Sequence, residues 1–249
     1  MADDVLKVLK NQQTMANYPS GDDIKWKAIS LTHVEYPKGD LFGMGLAWLS
    51  LLPIFIMIGF ITLILFRRDL HTICYFCGLL LNELVNLVLK HMIQDYRPKR
   101  DRETVFTEYG MPSSHAQFMW FYATYLSFFL ILRVHRNYNI IEDLWKFALA
   151  LLTYVLAFLV GYSRVYLGYH SPSQVVLGAL TGLALGTLWF LIVHLVFTPF
   201  FPMIAAWPVS EFMMIRDSTL IPNVMWFEYT SSRQESRSRQ RKLVSRKSQ

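Results

Sequence analysis

Charged residues are scarce in this chain. Only 17% of its 249 residues are Asp, Glu, Lys or Arg, against roughly 25% in an ordinary globular domain. Hydrophobic residues reach 53%, and the mean hydropathy is +0.29. The composition therefore favours an integral membrane protein over a water-soluble one, and we expect no nucleic-acid partner.

Cysteine is also rare, which excludes a disulfide framework. Cys74 and Cys77 stand in the apolar run TICYFCGLL. Their Cys-x-x-Cys spacing occurs in redox and zinc sites, but no second pair is present. We therefore expect buried, unbonded cysteines and no metal site.

The N-terminal stretch MADDVLKVLKNQQTMANYPSGDD has no apolar core of the kind found in a cleavable signal peptide. We expect residues 1–30 to be a polar extension. The first membrane span would then direct insertion itself.

Apolar runs, in contrast, are abundant, and a run of about 20 such residues can cross a bilayer as a helix. Pro53 would kink the first run, which membrane helices tolerate. The C-terminal residues 198–230 are apolar and aromatic but interrupted by prolines, so we expect them to lie at the membrane interface. The predicted spans are 41–66, 70–90, 116–132, 144–162 and 175–197.

The sequence thus predicts an all-α integral membrane protein, a bundle of about five transmembrane helices with an interfacial C-terminal segment. Residues 31–230 would form the membrane domain. Residues 231–249 are basic and polar and are predicted to be disordered.

With five spans, the connections 91–115 and 163–174 fall on one side of the membrane. The turns 67–69 and 133–143 and the tail fall on the other side, and the tail carries seven Lys or Arg from Arg233 onward. The positive-inside rule makes that second side cytoplasmic.

The second predicted span ends in LNELVNLVLKHMIQDYRPKR. Lys90 and Arg97 are two helical turns apart and would share a face, although Pro98 biases Arg97 out of the helix. Two such cations can also be snorkelling membrane anchors, and this pair alone does not decide between the two roles.

The next connection ends in Pro112, Ser113, Ser114 and His115, directly before an apolar helix. Capping residues belong at such a position, and the first N–H groups of a helix attract anions. Taken alone, this motif favours a helix cap with an interfacial histidine.

The stretch SRVYLGYHSPSQ joins the fourth and fifth spans. Ser171 suits a helix N-cap, Pro172 the first helical position, and Gln174 the glutamine position of a capping box. His170 precedes this cap. Arg164 lies near the end of a span, where an arginine usually has a partner or a function.

All three motifs fall on the same side of the membrane. Together they supply cations, helix N-termini, hydroxyls and two histidines, which suits the binding and transfer of a phosphoryl group. Their order and spacing resemble the three signature motifs of the type 2 phosphatidic acid phosphatase superfamily. The LNELVN before Lys90, the YGMPSSH block and residues 202–230 more closely resemble its eukaryotic dolichyl diphosphatase branch. This closer match covers roughly Leu31 to Lys242.

This resemblance implies hydrolysis of dolichyl diphosphate to dolichyl phosphate and phosphate, which recycles the lipid carrier for N-glycosylation. His170 would attack phosphorus and form a phosphohistidine, and His115 would protonate the leaving oxygen and then activate water. No metal or other cofactor is implied, since fixed cations neutralise the charge. The implied phosphate-binding residues are Lys90, Arg97, Ser113, Ser114 and Arg164.

The resemblance also implies that the partner is a polyprenyl diphosphate lipid in the bilayer. The location implied is the endoplasmic reticulum membrane, with the active site facing the lumen and the tail in the cytoplasm.

Two positions depart from the superfamily pattern. Ser114 replaces a glycine, which is tolerable where the torsion angles permit a side chain. Gln174 replaces the aspartate that would orient His170. Gln174 either orients His170 without a charge or only caps the helix.

Glu83 is an intramembrane carboxylate on the same helical stripe as Lys90. It would position Lys90, pair with His71 or another polar group, or make a structural hydrogen bond between spans. For the whole protein, the alternatives to a dolichyl diphosphatase are a lipid phosphate phosphatase of broad specificity and a catalytically silent scaffold.

Overall fold

Long apolar helices make up most of the chain. The computed structural model describes residues 26–29, 34–37, 39–98, 109–133, 140–221 and 224–247. Two short strands, β1 (Trp26–Ile29) and β2 (Val34–Pro37), precede the helices. The helices are α1 (Leu41–Leu49), α2 (Leu52–Arg67), α3 (Leu70–Ile93), α4 (Ser114–Phe128), α5 (Ile140–Tyr166), α6 (Pro172–Ile192), α7 (Phe201–Ala205), α8 (Pro208–Phe212) and α9 (Val224–Lys247).

Within the described residues, four helical stretches are long and apolar enough to cross a membrane: Leu41–Arg67, Leu70–Ile93, Leu144–Tyr166 and Pro172–Ala205. The remaining predicted span is α4, which continues as a π-helical turn, Phe129–Arg133. The predicted helical membrane protein with about five spans is therefore confirmed. Many large apolar side chains on the spans are exposed, such as Phe158 at 64%, as expected of surfaces that face lipid.

Helix α4 is less apolar than the other spans because it lies inside the bundle. Nine of its 15 residues are buried, including the polar Gln117, Thr124 and Ser127. A helix surrounded by other helices can carry hydrogen-bonding side chains that a lipid-facing helix cannot.

The first predicted span is interrupted just before Pro53. Helix α1 ends at Leu49, and α2 begins at Leu52 with Pro53 in its first turn. A proline is tolerated there because the first N–H groups of a helix have no intrahelical partner. The break between α1 and α2 thus lies at the position where Pro53 was predicted to kink the span.

A stripe of glycines on α6 packs against α4. Gly178, Gly182 and Gly186 follow one another at intervals of four residues and are all buried. A Cβ on Gly182 would lie 2.3 Å from the carbonyl oxygen of Gln117, so the two backbones are in direct contact, as in small-xxx-small pairs of membrane helices. This contact brings the N-termini of α4 and α6 together, and the Ser113 N–H donates to the Gln174 carbonyl at 3.1 Å.

The opposite end of the bundle holds the turn between α2 and α3. The segment after α8 returns to it, where the Arg216 Nε–H donates to the Arg67 carbonyl at 2.8 Å and the Leu70 N–H donates to the Arg216 carbonyl at 3.1 Å. Glu228 of α9 pairs with Arg67 at 2.6 Å and with Arg216 at 2.9 Å. The C-terminal region is thereby fixed at the end away from the three motifs.

Three details differ from the sequence predictions. The predicted disordered tail continues α9 as a helix to Lys247, because no glycine or proline occurs after Pro222 and Glu235 pairs with Arg239 one turn on. Strands β1 and β2 form an antiparallel pair across the predicted boundary at residue 30. Cys74 and Cys77 were predicted to be buried, but Cys74 is half-buried and Cys77 is exposed on α3.

Of the predicted N-terminal extension, residues 1–25 and 30 lie outside the described residues.

Candidate active site

The turn after α5 folds His170 back toward Arg164. The Arg164 carbonyl accepts hydrogen bonds from the N–H groups of Tyr169 at 2.9 Å and His170 at 3.1 Å. Gly168 makes this turn possible, because its φ of 71° lies in the left-handed region that side chains disfavour. Arg164 is 6% exposed, and its guanidinium lies 4.2 Å from the centre of the Tyr169 ring.

His170 is held by two oxygen atoms. Its Nδ1 lies 3.0 Å from the Gly110 carbonyl oxygen and 3.2 Å from Oε1 of Gln174. Because both partners are acceptors, Nδ1 carries the ring proton and Nε2 keeps its lone pair. Nε2 is buried and has no hydrogen-bond partner among the described residues. An uncharged imidazole with an available Nε2 is the form that can act as a nucleophile.

The surroundings keep His170 uncharged. The pKa of His170 is lowered to about 3, chiefly by burial and also by the guanidinium groups of Arg164 and Arg97 and the Lys90 ammonium, and the hydrogen bond to Gln174 opposes this shift. All three cations predicted from the motifs therefore lie near His170. The structure thus places these three cations around His170, and their role in binding phosphate stays a prediction.

Gln174 makes both of the contacts that the sequence left as alternatives. It completes a capping box with Ser171, whose N–H donates to Oε1 at 3.2 Å. The same Oε1 faces His170. On the other side of the amide, Nε2 donates to the Tyr96 carbonyl at 2.9 Å and to Oδ2 of Asp95 at 2.8 Å.

The orientation of this amide follows from the backbone groups around it. The Ser171 N–H can only donate and the Tyr96 carbonyl can only accept, so the oxygen must face Ser171 and the nitrogen must face Tyr96. Gln174 thus presents an acceptor to His170 whichever protonation state the neighbouring side chains have.

Ser113 and Ser114 begin α4 next to this arrangement. Ser113 is fully buried and is the N-cap residue, and its Oγ has no hydrogen-bond partner in the described part of the chain. Ser114 is the first helical residue, so its torsion angles accept a side chain and the replacement of glycine causes no strain. The first N–H groups of α4 lack intrahelical partners and can bind an anion. His115 follows on the same turn, half-buried, with Nδ1 3.5 Å from Oγ of Ser114.

Lys90 and Arg97 lie on different structural elements, Lys90 on helix α3 and Arg97 in the segment that follows it. Lys90 lies in the last turn of α3 and is 7% exposed. The helix ends at Ile93 and Gln94 adopts a left-handed φ of 52°, so Arg97 lies beyond the helix. The prediction that Lys90 and Arg97 share a helical face is therefore wrong. The prediction that Pro98 biases Arg97 out of the helix agrees with the structure.

A buried polar cluster lies beneath the site. The Asn86 amide donates to Oε1 of Gln117 at 2.8 Å and to the Pro112 carbonyl at 3.4 Å, while Nε2 of Gln117 donates to Oδ1 of Asn82 at 3.0 Å. The cluster joins α3 to α4 and to the loop that carries the serines. Of the polar residues on this part of α3, Asn82 and Asn86 are buried, whereas Glu83 is half-buried.

The structure does not pair Glu83 with His71. His71 lies at the other end of α3, with Nε2 3.2 Å from the Tyr125 hydroxyl, and within the described ranges no hydrogen bond or ion pair joins it to Glu83. This alternative for Glu83 is therefore wrong. The idea that Glu83 positions Lys90 stays a prediction.

Sequence reasoning missed two residues that hold the site together. Asp95 contacts Gln174, and Gly110 packs against it so closely that a Cβ on Gly110 would lie 2.7 Å from Nε2 of Gln174. Both stand inside the motif regions, two residues before Arg97 and two before Pro112. Their position next to the motifs could have marked Asp95 and Gly110 as candidate site residues. Their residue types alone gave no reason to choose them.

Comparison with known proteins shows the family to which the chain belongs. The family model of the PAP2 superfamily matches residues 71–197. Dolichyldiphosphatase 1 of the mouse is 55% identical over 221 residues, which cover 88% of this chain and 93% of the mouse protein. Lipid phosphate phosphatase gamma of Arabidopsis thaliana is 39% identical over 209 residues, covering 83% of this chain and 91% of the plant protein.

A solved structure has the same fold. The crystal structure of a PAP2 type phosphatidylglycerolphosphate phosphatase from Bacillus subtilis superimposes with a TM-score of 0.53 at 21% identity, covering 64% of this chain and 80% of the bacterial one. The three motifs, the helical bundle and the extended match to its relatives agree, and the chain belongs to the PAP2 superfamily and, within it, to the dolichyldiphosphatase family.

Proposed function

We propose that this protein hydrolyses the terminal phosphate of dolichyl diphosphate, giving dolichyl phosphate and inorganic phosphate. The observation that carries the proposal is the state of His170, whose buried Nε2 keeps a lone pair beside three cations. Such a group can attack a phosphorus atom whose oxygens the cations neutralise. The substrate class is supported by the name and the 55% identity of the mouse relative.

In the first step, the Nε2 lone pair of His170 forms a bond to the terminal phosphorus. The bond from that phosphorus to the bridging oxygen breaks, and its electron pair leaves with dolichyl phosphate. His115 supplies the proton to the leaving oxygen. The proton on Nδ1 of His170 stays in place between Gly110 and Gln174.

In the second step, water attacks the phosphorus of the phosphohistidine. His115, now uncharged, accepts a proton from that water, the nitrogen–phosphorus bond breaks, and phosphate leaves. Throughout, the phosphoryl oxygens are bound by the three cations, by Ser113 and by the Ser114 N–H at the start of α4.

The direct test is release of phosphate from dolichyl diphosphate by the purified full-length protein. His170→Ala should abolish the release, whereas His91→Ala is the matched control, because His91 is exposed at the end of α3 on the same side of the bundle. Equal activity in His170→Ala and the unmodified protein would refute the mechanism. No release by the unmodified protein would support the silent scaffold instead.

A second candidate is a lipid phosphate phosphatase of broad specificity, favoured by the 39% identity to lipid phosphate phosphatase gamma of Arabidopsis thaliana. Parallel assays with dolichyl diphosphate, dolichyl phosphate and phosphatidate separate the two. A strong preference for dolichyl diphosphate supports the first proposal, and comparable rates on phosphatidate support the second.

We also propose that the protein resides in the endoplasmic reticulum membrane with its site in the lumen and α9 in the cytoplasm. The end of the bundle away from the site carries Arg67, Arg68, Arg133 and Arg216 as well as the basic part of α9, which fits the positive-inside rule. A protease added to sealed vesicles should cleave beyond Arg233 and leave activity intact. Inhibition of sealed vesicles by an impermeant reagent directed at the site would contradict this orientation.

A further inference from the structure

In the superfamily pattern, position 174 is an aspartate beside the nucleophile, whereas here it is Gln174. The carboxylate of Asp95 lies on the far side of the Gln174 amide. Oδ2 of Asp95 accepts a hydrogen bond of 2.8 Å from Nε2 of Gln174. The other end of the same amide faces Nδ1 of His170 at 3.2 Å. Asp95, Gln174 and His170 therefore form a continuous chain from a carboxylate through an amide to an imidazole.

Asp95 also anchors the second acceptor of the His170 proton. Its backbone carbonyl accepts a hydrogen bond of 2.7 Å from the N–H of Gly110, and the Gly110 carbonyl lies 3.0 Å from Nδ1 of His170. Asp95 thus contacts both residues whose oxygens face Nδ1, Gln174 through its side chain and Gly110 through its backbone carbonyl.

We propose that Asp95 is a positioning residue for catalysis, which supplies through the Gln174 amide the negative charge that stabilises His170 as it becomes cationic. When Nε2 attacks phosphorus, positive charge develops on the imidazole ring. The Asp95 carboxylate accepts a hydrogen bond from the amide nitrogen and thereby polarises the amide. The amide oxygen then becomes a stronger acceptor for the Nδ1 proton of His170. No proton moves along the chain, and no bond forms or breaks in it.

The placement of Asp95 outside the pocket has a physical advantage. Gln174 is 1% exposed and His170 is 2% exposed, whereas Asp95 is exposed. A buried carboxylate at position 174 would cost solvation energy and repel an incoming diphosphate. The amide at position 174 adds no charge beside His170 and connects it to a carboxylate in water.

This inference rests on the proposed function, so the test first measures phosphate release from dolichyl diphosphate by the unmodified protein and by His170→Ala. The variants Asp95→Asn, Asp95→Glu and the double variant Asp95→Asn/Gln174→Glu are then compared in kcat and KM. Asp40→Asn is the matched control, because Asp40 lies on the same side of the bundle and, among the described residues, its side chain caps α1 and accepts from the Tyr166 hydroxyl at 2.8 Å. All rates are referred to folded protein measured by thermal unfolding in detergent.

We expect Asp95→Asn to lower kcat at least tenfold while KM changes less than threefold, because the charge acts on the nucleophile rather than on bound phosphate. Asp95→Glu keeps the charge and should stay within threefold of the unmodified protein. The double variant moves the carboxylate directly beside His170 and should exceed Asp95→Asn in kcat. Asp40→Asn should leave kcat unchanged.

Two outcomes would overturn the proposal. One is a kcat for Asp95→Asn within twofold of the unmodified protein, and the other is an equal loss in Asp95→Asn and Asp95→Glu, which would show that shape matters and charge does not. If Asp95→Asn does not fold, Asp95→Glu decides the question, since a loss of tenfold or more despite the retained charge overturns the proposal. An inactive unmodified protein would instead refute the proposed function.

Discussion

Replacing Gly110 with alanine would disturb the contacts that orient His170 without removing any of their hydrogen-bonding groups. A Cβ on Gly110 would lie 2.7 Å from Nε2 and 2.8 Å from Oε1 of Gln174, and 2.9 Å from Cγ of Arg97. Ordinary van der Waals contact for a Cβ begins at 3.4 Å. The Gln174 amide must therefore withdraw by about 0.6–0.7 Å, or the loop must move by a similar distance.

Either movement weakens the contact between Gln174 and His170. The present distance of 3.2 Å from Oε1 to Nδ1 would lengthen to nearly 4 Å, beyond the range of a hydrogen bond. A displacement of about 1 Å in an active site can cost on the order of 100-fold in rate. Because the Gly110 carbonyl still faces Nδ1, we expect a loss in kcat of about 10- to 100-fold rather than complete inactivation.

The assay is steady-state hydrolysis of dolichyl diphosphate together with thermal unfolding in detergent. Gly59→Ala is the matched control, because Gly59 lies within α2 and a Cβ there would meet nothing within 4 Å. It should leave kcat unchanged. A kcat for Gly110→Ala equal to that of Gly59→Ala would refute the argument that this contact orients His170.

The remaining predictions concern the charge of His170 and the packing of the bundle. Since the pKa of His170 is lowered to about 3, its ring should stay uncharged as the pH falls from 7 to 5; ¹⁵N NMR of the ring, assigned with His170→Asn, would contradict this if it titrated near 6.5. Gly182→Ala should lower the free energy of unfolding by about 1–3 kcal/mol, because its Cβ would lie 2.3 Å from the Gln117 carbonyl; equal melting temperatures for Gly182→Ala and Gly59→Ala would refute this. Asn86→Leu should cost about 1–3 kcal/mol by leaving the buried Gln117 amide oxygen without its donor, and unchanged thermal unfolding would show that the cluster contributes no stability.

The sequence predicted those features that depend on short segments. A run of apolar residues contains the length needed to cross the hydrocarbon layer, so the spans could be located without tertiary information. The cap at Ser171 was equally accessible, because a capping box involves residues three apart on one turn. Counting five spans along the chain places the three motifs on the same side of the membrane. The contacts of His170 with Gly110 and Gln174 agree with this placement.

Features that depend on distant contacts were not predicted. Gly110 and Asp95 lie 60 or more residues from His170 in sequence, and their importance comes from backbone hydrogen bonds and close packing that residue types do not encode. The pairing of β1 with β2 involves four residues on each strand, too few for a clear apolar pattern. The span at α4 was predicted, but its burial inside the bundle, which accounts for the polar residues Gln117, Thr124 and Ser127, was not.

Gln174 both caps α6 and contacts His170, although the sequence presented these two roles as alternatives. A capping box requires the glutamine oxygen to face the N–H of the N-cap residue, here Ser171. His170 is the residue directly before that N-cap, so an oxygen directed at the cap also points toward the chain that carries the imidazole. The turn stabilised by the Arg164 carbonyl then places Nδ1 within 3.2 Å of the same oxygen. The capping contact thus puts the oxygen where it can orient His170, and the amide nitrogen, which neither contact uses, is left to bind Asp95.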